Sequence, residues 1–455
     1  MTAQEQSIRP LIAALEAKGR LKRIARSVDP HHDMAAVALK THRERNGAVL
    51  FEDARGFRAA AQILAGRAQW AEALGVPAAD VLGFVQQGLR RSTPPSFEGT
   101  SRLERSDITL ARLPIARASA GDAAPQMSAV AIALDPATGQ ACLGLTRHHV
   151  TAPDRLSVMD LPPALQRVRR HHVECNQVMK LALAIGADPA LILAAAAGTW
   201  RSADLGLAGS LAGAPMRLAR DAPSGLPLPA EAEFVIVGDV PPDETAQAGR
   251  LATPFGTHAE ATSCPVFVTR AAFARREPVF HAMQAGPFGD HAGALNLAAA
   301  ALVAEHVRNI EGGIDFLDIV CPAATGAQIV VVKLRARVEG QAKTALMGAL
   351  SGPVNTLKLA IAVDEDVDPA DLRDVFWSVA SRTHAEKDVG MIDGLRAHPF
   401  DFAAPLAGDG IGRLGTRWFI DSTMPPLTQG KRREDFARAI PKNLAATDLA
   451  RFLPD

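Results

Sequence analysis

The run Glu233-Phe-Val-Ile-Val-Gly238 leads, ten residues on, into Gly249-Arg-Leu-Ala-Thr-Pro-Phe-Gly-Thr-His258, and then into Cys264-Pro-Val-Phe-Val-Thr-Arg270 and Glu277-Pro-Val-Phe-His281. Valine, isoleucine and phenylalanine bounded by Gly, Pro and charge mark three strands around one loop. That loop holds no carboxylate, and its only titratable group near neutrality is His258. Upstream, Val130-Ala-Ile-Ala-Leu134 turns through Asp135-Pro-Ala-Thr-Gly139 into Cys142-Leu-Gly-Leu-Thr-Arg147, a hairpin pattern. A helix over 164–179 and an apolar strand over 181–185 follow. Together these strands predict a sheet able to close into a barrel.

On either side lie α/β patterns. Ile8, Leu11, Ile12, Leu15 and Leu21 give an amphipathic helix near the start. Strands over 21–24 and 48–51 enclose a helix over 33–42, and further helices fit 70–74 and 78–91. The stretch Ser92-Thr-Pro-Pro-Ser-Phe-Glu-Gly99 reads as a boundary loop. After a helix over 292–308, strands at 316–320, 328–334 and 357–363 alternate with helices at 341–350 and 369–382, the last capped near Asp368. One or two short helices fit 436–453. The fold class is mixed α/β: an N-terminal α/β domain (1–100), a central barrel (101–310), a C-terminal α/β domain (311–430) and a helical tail (431–455).

Forty-nine basic and 49 acidic residues cancel, so no basic surface calls for nucleic acid or an anionic membrane. The apolar stretch Ala190-Leu-Ile-Leu-Ala-Ala-Ala-Ala197 is too short to span a bilayer. Four scattered cysteines without a CxxC pair and no apolar leader predict a reduced, cytoplasmic setting. With no tyrosine in the chain, proton transfer falls to His, carboxylate, Lys, Cys or water.

The order of these segments resembles the UbiD-type decarboxylases, which remove carbon dioxide from aromatic or α,β-unsaturated acids with a prenylated flavin. The resemblance runs through Asp107-Ile-Thr-Leu-Ala-Arg-Leu-Pro-Ile115, Cys142–Arg147, Ala184-Ile-Gly-Ala-Asp-Pro-Ala190, Gly340-Gln-Ala-Lys-Thr-Ala-Leu-Met-Gly348 and Val363-Asp-Glu-Asp-Val-Asp368. It implies a central split β-barrel of the flavin-reductase kind and a C-terminal tail used in forming homodimers or homohexamers. It also implies a flavin prenyltransferase as cofactor supplier and a small carboxylic acid as substrate.

Carried over residue by residue, Arg147 matches the arginine that grips the substrate carboxylate, a task suited to a planar guanidinium fork. Cys142, Leu145, Thr146 and Arg147 lie on the strand that resembles the cofactor-binding one. Cys142 stands where the family has a metal-binding Asn, and Asp204 where it has a Glu. The family's His ligand has no counterpart, its register falling around Asp160-Leu-Pro-Pro163. A manganese ion prefers oxygen, so Cys142 works against it; a softer ion on Cys142, Asp204 and His148 or His149 is an alternative, and a buried core thiol another. The family's flavin-contacting Lys is missing from Asp421-Ser-Thr-Met-Pro425.

The family loop carries two carboxylates for proton transfer and charge stabilisation; Ala252 and Thr257 fall on those positions. Candidates to replace them are His258, Glu244, Glu260, and Asp290 and His291 of Gly286-Pro-Phe-Gly-Asp-His291. For Asp290, capping of the helix over 292–308 is the favoured role. Met283 and Phe288 flank the expected substrate pocket. Two readings follow: a carboxy-lyase with a variant site, or a non-catalytic partner subunit of an active decarboxylase. Cofactor-independent decarboxylation on the same scaffold is a third.

Overall fold

The computed structural model describes residues 5–452 except 46, 98–100, 261, 285, 311–313, 409, 411, 442, 449 and 450. At the start of the chain the helix Arg9–Ala17 buries Leu11, Ile12 and Leu15. Strand Leu21–Ile24 pairs in parallel with Ala48–Ala54, which turns back antiparallel into Phe57–Ala61. The fourth strand of this sheet is Val279–His281, parallel to Phe57–Ala61. The sequence reading grouped that segment with the strands of the barrel. It crosses instead to the N-terminal sheet, because Val279, Phe280 and His281 are all buried and their backbone groups need a partner there. Phe280 also meets Phe234 edge-on, with ring centroids 6.1 Å apart.

The centre is a closed, six-stranded antiparallel barrel. Its strands are β1 (Gln126–Leu134), β2 (Ala141–Ala152), β3 (Arg155–Met159), β4 (Met179–Ile185), β5 (Phe234–Val240) and β6 (Thr262–Ala274). The order around the ring is β5-β4-β1-β2-β3-β6, and β6 pairs back to β5, leaving no free edge. Alternate residues face the lumen and the outer wall. Ala129, Ala131, Leu181, Leu183, Ile236 and Phe267 fill the lumen. Val130, Ile132, Leu143, Leu145, Val235 and Val237 face outward into a second core.

Three helices supply the other half of that core: α1 (Pro189–Ala197), α2 (Leu205–Ala212) and α3 (Asp290–Ile310). Every residue of α1 is buried, which explains its all-round apolar sequence. Asp188 caps it, accepting a 2.7 Å bond from Ala190 N. Helix α3 leans on the N-terminal segment at Gly293, where a Cβ would stand 2.1 Å from Leu64 O. Gly293→Ala is therefore expected to destabilise the protein by about 1–3 kcal/mol, read as a lower urea midpoint. An unchanged midpoint would mean that the contact is soft.

The C-terminal sheet runs Phe316–Val320, Ile329–Leu334, Leu359–Val363, Arg413–Ser422, Val389–Ala397, with Gln341–Ser351 and Leu372–Arg382 as its longer helices. The cap of the second helix is Asp371, not Asp368: its carboxylate accepts from Arg373 N at 2.9 Å. The tail contributes a helix at Gly430–Glu434 and a 3-10 turn at Leu444–Ala446. Arg433 anchors it on the buried Asp364. Among the described residues no helix is long and apolar enough to cross a membrane.

Candidate active site

Strand β2 places chemistry on both of its faces. Leu143 and Leu145 look outward to the helices, so Arg147 and His149 continue that outer row; Thr146 and His148 alternate to the lumen. Inside, His148 Nε2 lies 2.8 Å from Thr146 Oγ1. Burial pushes its pKa down to about 3, so it is neutral packing rather than a proton carrier.

The Arg147 guanidinium is fully buried against Asp160 and the Phe400 ring. Its Nε donates to Asp160 Oδ2 at 2.5 Å, and Nη1 donates to Ala252 O at 2.5 Å. Nη2 is 2.5 Å from the same Asp160 oxygen but makes no hydrogen bond. Asp160 follows β3 directly with φ of 55°, a left-handed conformation that Asp tolerates better than most residues. Its side chain remains 35% exposed. Burial alone would raise this carboxyl; the Arg147 charge outweighs it and holds the pKa below the ordinary value. Beside the pair opens a cleft of about 270 Å³ lined by Leu161, Leu251, Ala259 and Phe400. The Phe400 ring centroid is 5.9 Å from the guanidinium carbon, so the C-terminal domain supplies one wall.

Above Arg147 lies a small hairpin in which Leu251–Ala252 pairs with His258–Ala259. Its Ala252 is clamped from two sides: the carbonyl by Arg147 and the N–H by Asp122 Oδ1 at 2.6 Å. Asp122 also accepts from Ser119 N at 2.8 Å. On the helix side, His291 Nδ1 lies 2.9 Å from Ser128 Oγ, and Ser128 stands opposite Arg147 in the β1–β2 register. Burial, reinforced by the Arg147 charge, pushes the His291 pKa down to about 3. At neutral pH it is a neutral hydrogen-bonding group.

These two histidines carry a pH signature. The unfolded chain takes up protons near 6.5 while the folded one resists until about 3. Because the unfolded state binds more protons in that window, stability is full above about pH 6.5 and declines as pH falls toward about 3. Urea midpoints measured from pH 7 down to pH 4 are expected to fall, and His148→Phe to remove about one proton from the slope. A pH-independent midpoint over that range would refute the neutral, buried assignment.

The remaining expected site residues are dispersed. His258 turns to the neighbouring bend, its Nε2 2.7 Å from Ser119 Oγ. Asp290 neither caps α3 nor faces Arg147. It opens the helix itself, accepting from Leu64 N at 2.7 Å and lying 2.8 Å from His281 Nε2, which ties the helix to the N-terminal sheet. Glu244 pairs with Arg155, and Glu260 sits 84% exposed near Arg250, so neither turns inward. Thr257 is exposed. Met283 lies beside the site, its carbonyl accepting from Ser128 N, whereas the Phe288 ring lies 4.3 Å from the Arg43 guanidinium. Asp160, Asp122, Ser128 and Phe400 are additions; for Asp160 the available signal was a lone carboxylate directly after an apolar strand.

A divalent metal does not fit the residues present. Asp204 is the N-cap of α2, accepting from Leu207 N at 2.8 Å, and burial raises the pKa of the Cys142 thiol. Among the described residues no three His, Cys, Asp or Glu side chains gather as a ligand set. A flavin held by the side chains of Cys142, Leu145, Thr146 and Arg147 does not fit either. Strand alternation puts Leu145 and Arg147 on one face and Cys142 and Thr146 on the other. Leu145 is packed in the helical core, and Thr146 is bonded within the lumen.

Comparison with known proteins agrees with this architecture. Residues 12–87, 89–287 and 296–422 match, in turn, the N-terminal, Rift-related and C-terminal domains of 3-octaprenyl-4-hydroxybenzoate carboxy-lyase, UbiD. The chain belongs to the UbiD family. Its fold is similar to that of the UbiD-class enzyme HmfF from Pelotomaculum thermopropionicum in complex with FMN: 28% identity, 98% of this chain and 100% of the other covered, TM-score 0.87. An evolved dimeric form of HmfF in complex with prFMN gives 26% identity over 98% and 100% of the chains, with TM-score 0.84. The apo 3,4-dihydroxybenzoic acid decarboxylase AroY from Klebsiella pneumoniae shares the fold at 22% identity, 98% and 99% coverage and TM-score 0.85. This UbiD-family chain thus has the barrel and flanking domains of decarboxylases.

Proposed function

We propose that this UbiD-family chain is a carboxy-lyase that binds a small aromatic or α,β-unsaturated carboxylic acid at Arg147 and releases carbon dioxide without net oxidation. The observation that carries the reading is the buried Arg147 guanidinium, which pairs with Asp160 and faces the Phe400 ring, two residues that line the cleft together with the apolar Leu161 and Leu251. Loss of carbon dioxide leaves an electron pair on carbon, and none of Arg147, Asp160 or His291 can delocalise it. An organic electron sink is therefore required, and the similar HmfF structures contain FMN and prFMN. Arg147 orients the acid, Phe400 and the hairpin Leu251–Ala259 exclude bulk water, and Asp160, the carboxylate that lines the cleft, relays the proton that replaces carbon dioxide. The protein works as a homo-oligomer in the cytoplasm.

The test is purification from cells that also produce a flavin prenyltransferase, followed by absorbance, mass spectrometry and assay of acids for carbon dioxide release. A flavin-loaded protein that turns over an acid supports the reading; a colourless protein with no turnover overturns it.

A second reading, a non-catalytic subunit, is favoured by one feature: Asp160 already fills the fork of Arg147. Turnover by the isolated homo-oligomer would exclude it.

A further inference from the structure

The outer row of the barrel continues past Arg147. In the β1–β2 register Ser128 stands opposite Arg147, and Gln126 stands opposite His149. Two residues along each strand is one repeat on the same face, about 7 Å, and directly opposed side chains have Cβ atoms about 5 Å apart. The four side chains therefore form one patch, with Arg147 and Ser128 at one end and His149 and Gln126 at the other.

The far end of this patch is unsatisfied. Gln126 is 2% exposed and His149 1% exposed. Both amide atoms of Gln126 and both ring nitrogens of His149 lack a hydrogen-bond partner among the described residues. Leaving one buried polar group unpaired costs about 1–3 kcal/mol, and here four atoms share one spot. The spot is also uncharged. Burial lowers the His149 pKa, so the ring is neutral, presenting one donor and one acceptor, as the Gln126 amide does. Asp122, the carboxylate whose charge acts on His149, is already engaged by Ala252 N and Ser119 N. Its negative charge disfavours a second anion beside it.

Resting on the carboxylate-binding role of Arg147, we propose that Gln126 and His149 form a specificity subsite for the far end of the acid. The subsite selects an uncharged group that both donates and accepts hydrogen bonds, and rejects a second carboxylate. The hairpin Leu251–Ala259 is clamped onto the Arg147 end of the patch through Ala252 and held by two residue pairs, and it must lift to admit the acid.

Titration calorimetry of the purified full-length protein with benzoate, 4-carbamoylbenzoate and terephthalate tests the assignment. The carbamoyl acid is expected to bind about tenfold to a hundredfold more tightly than benzoate, and terephthalate no more tightly. Gln126→Leu and His149→Leu are each expected to erase that ratio. Equal affinity of the wild-type protein for benzoate and 4-carbamoylbenzoate overturns the subsite, and that comparison needs no variant. So does tightest binding of terephthalate, or a preference that survives both substitutions. If none of the three acids binds, or if binding persists in Arg147→Ala, the carboxylate reading itself falls, and the subsite with it.

Discussion

Arg147→Ala is expected to abolish measurable binding of small carboxylic acids and to lower any turnover by about 10²–10³-fold, the usual cost of removing a preorganised charge from a reacting centre. The reasoning is geometric. The guanidinium is a buried cation behind the cleft wall, held there by β2 and by two fixed acceptors, Asp160 and Ala252 O. A lysine offers a point charge without the planar fork, so Arg147→Lys is expected to recover only part of the loss. Steady-state assay of the flavin-loaded protein and titration with benzoate check both. Full activity in Arg147→Ala would remove this residue from the mechanism.

Asp160→Ala is expected to act in two directions at once. Deleting one member of an ion pair leaves a buried guanidinium without its counter-charge; because Asp160 is partly exposed, the loss is set at about 1–3 kcal/mol, below the cost for a fully buried pair. The same change opens the fork to an external carboxylate. Benzoate added at a hundred times its dissociation constant would then return about 2.7 kcal/mol, comparable to the loss. The wild-type protein, with Asp160 in place, is expected to respond less. Thermal unfolding with and without benzoate reads the difference, and equal stabilisation of both proteins would show that Asp160 does not compete. The pH sign follows from the lowered pKa of Asp160: the pair contributes above the unfolded carboxyl pKa and is lost as pH falls through the folded one. Acid therefore frees Arg147 in the wild-type protein as well.

Much of the fold was legible because barrel strands announce themselves by alternation. The hairpin expected from 130–134 and Cys142–Arg147 is the β1–β2 pair, and Leu143 and Leu145 face the helices as a period of two requires. The destination of Val279–His281 was not legible. A short strand such as Val-Phe-His fits any sheet, and only the position of Phe57–Ala61 decides which. The helix cap moved from Asp368 to Asp371 for a similar reason: both are aspartates before an apolar run, and the backbone chose the later one. At the site, Arg147 was singled out through its motif. Asp160 was not, because its role depends on a left-handed backbone turn that aims its carboxylate back across β2 and β3. The Asp290–His291 dipeptide was split by the helix it begins, one side chain binding the N-terminal sheet and the other Ser128.

The strand Val279–His281 has a consequence for how the chain is made. During synthesis the N-terminal sheet emerges with Phe57–Ala61 as a bare edge, and its neighbour is more than two hundred residues away on the messenger. Such a long-range pairing is slow to form and leaves an adhesive edge in the meantime. The first domain therefore matures only after the barrel has been translated, and a nascent chain stalled before residue 279 is the species most in need of a chaperone.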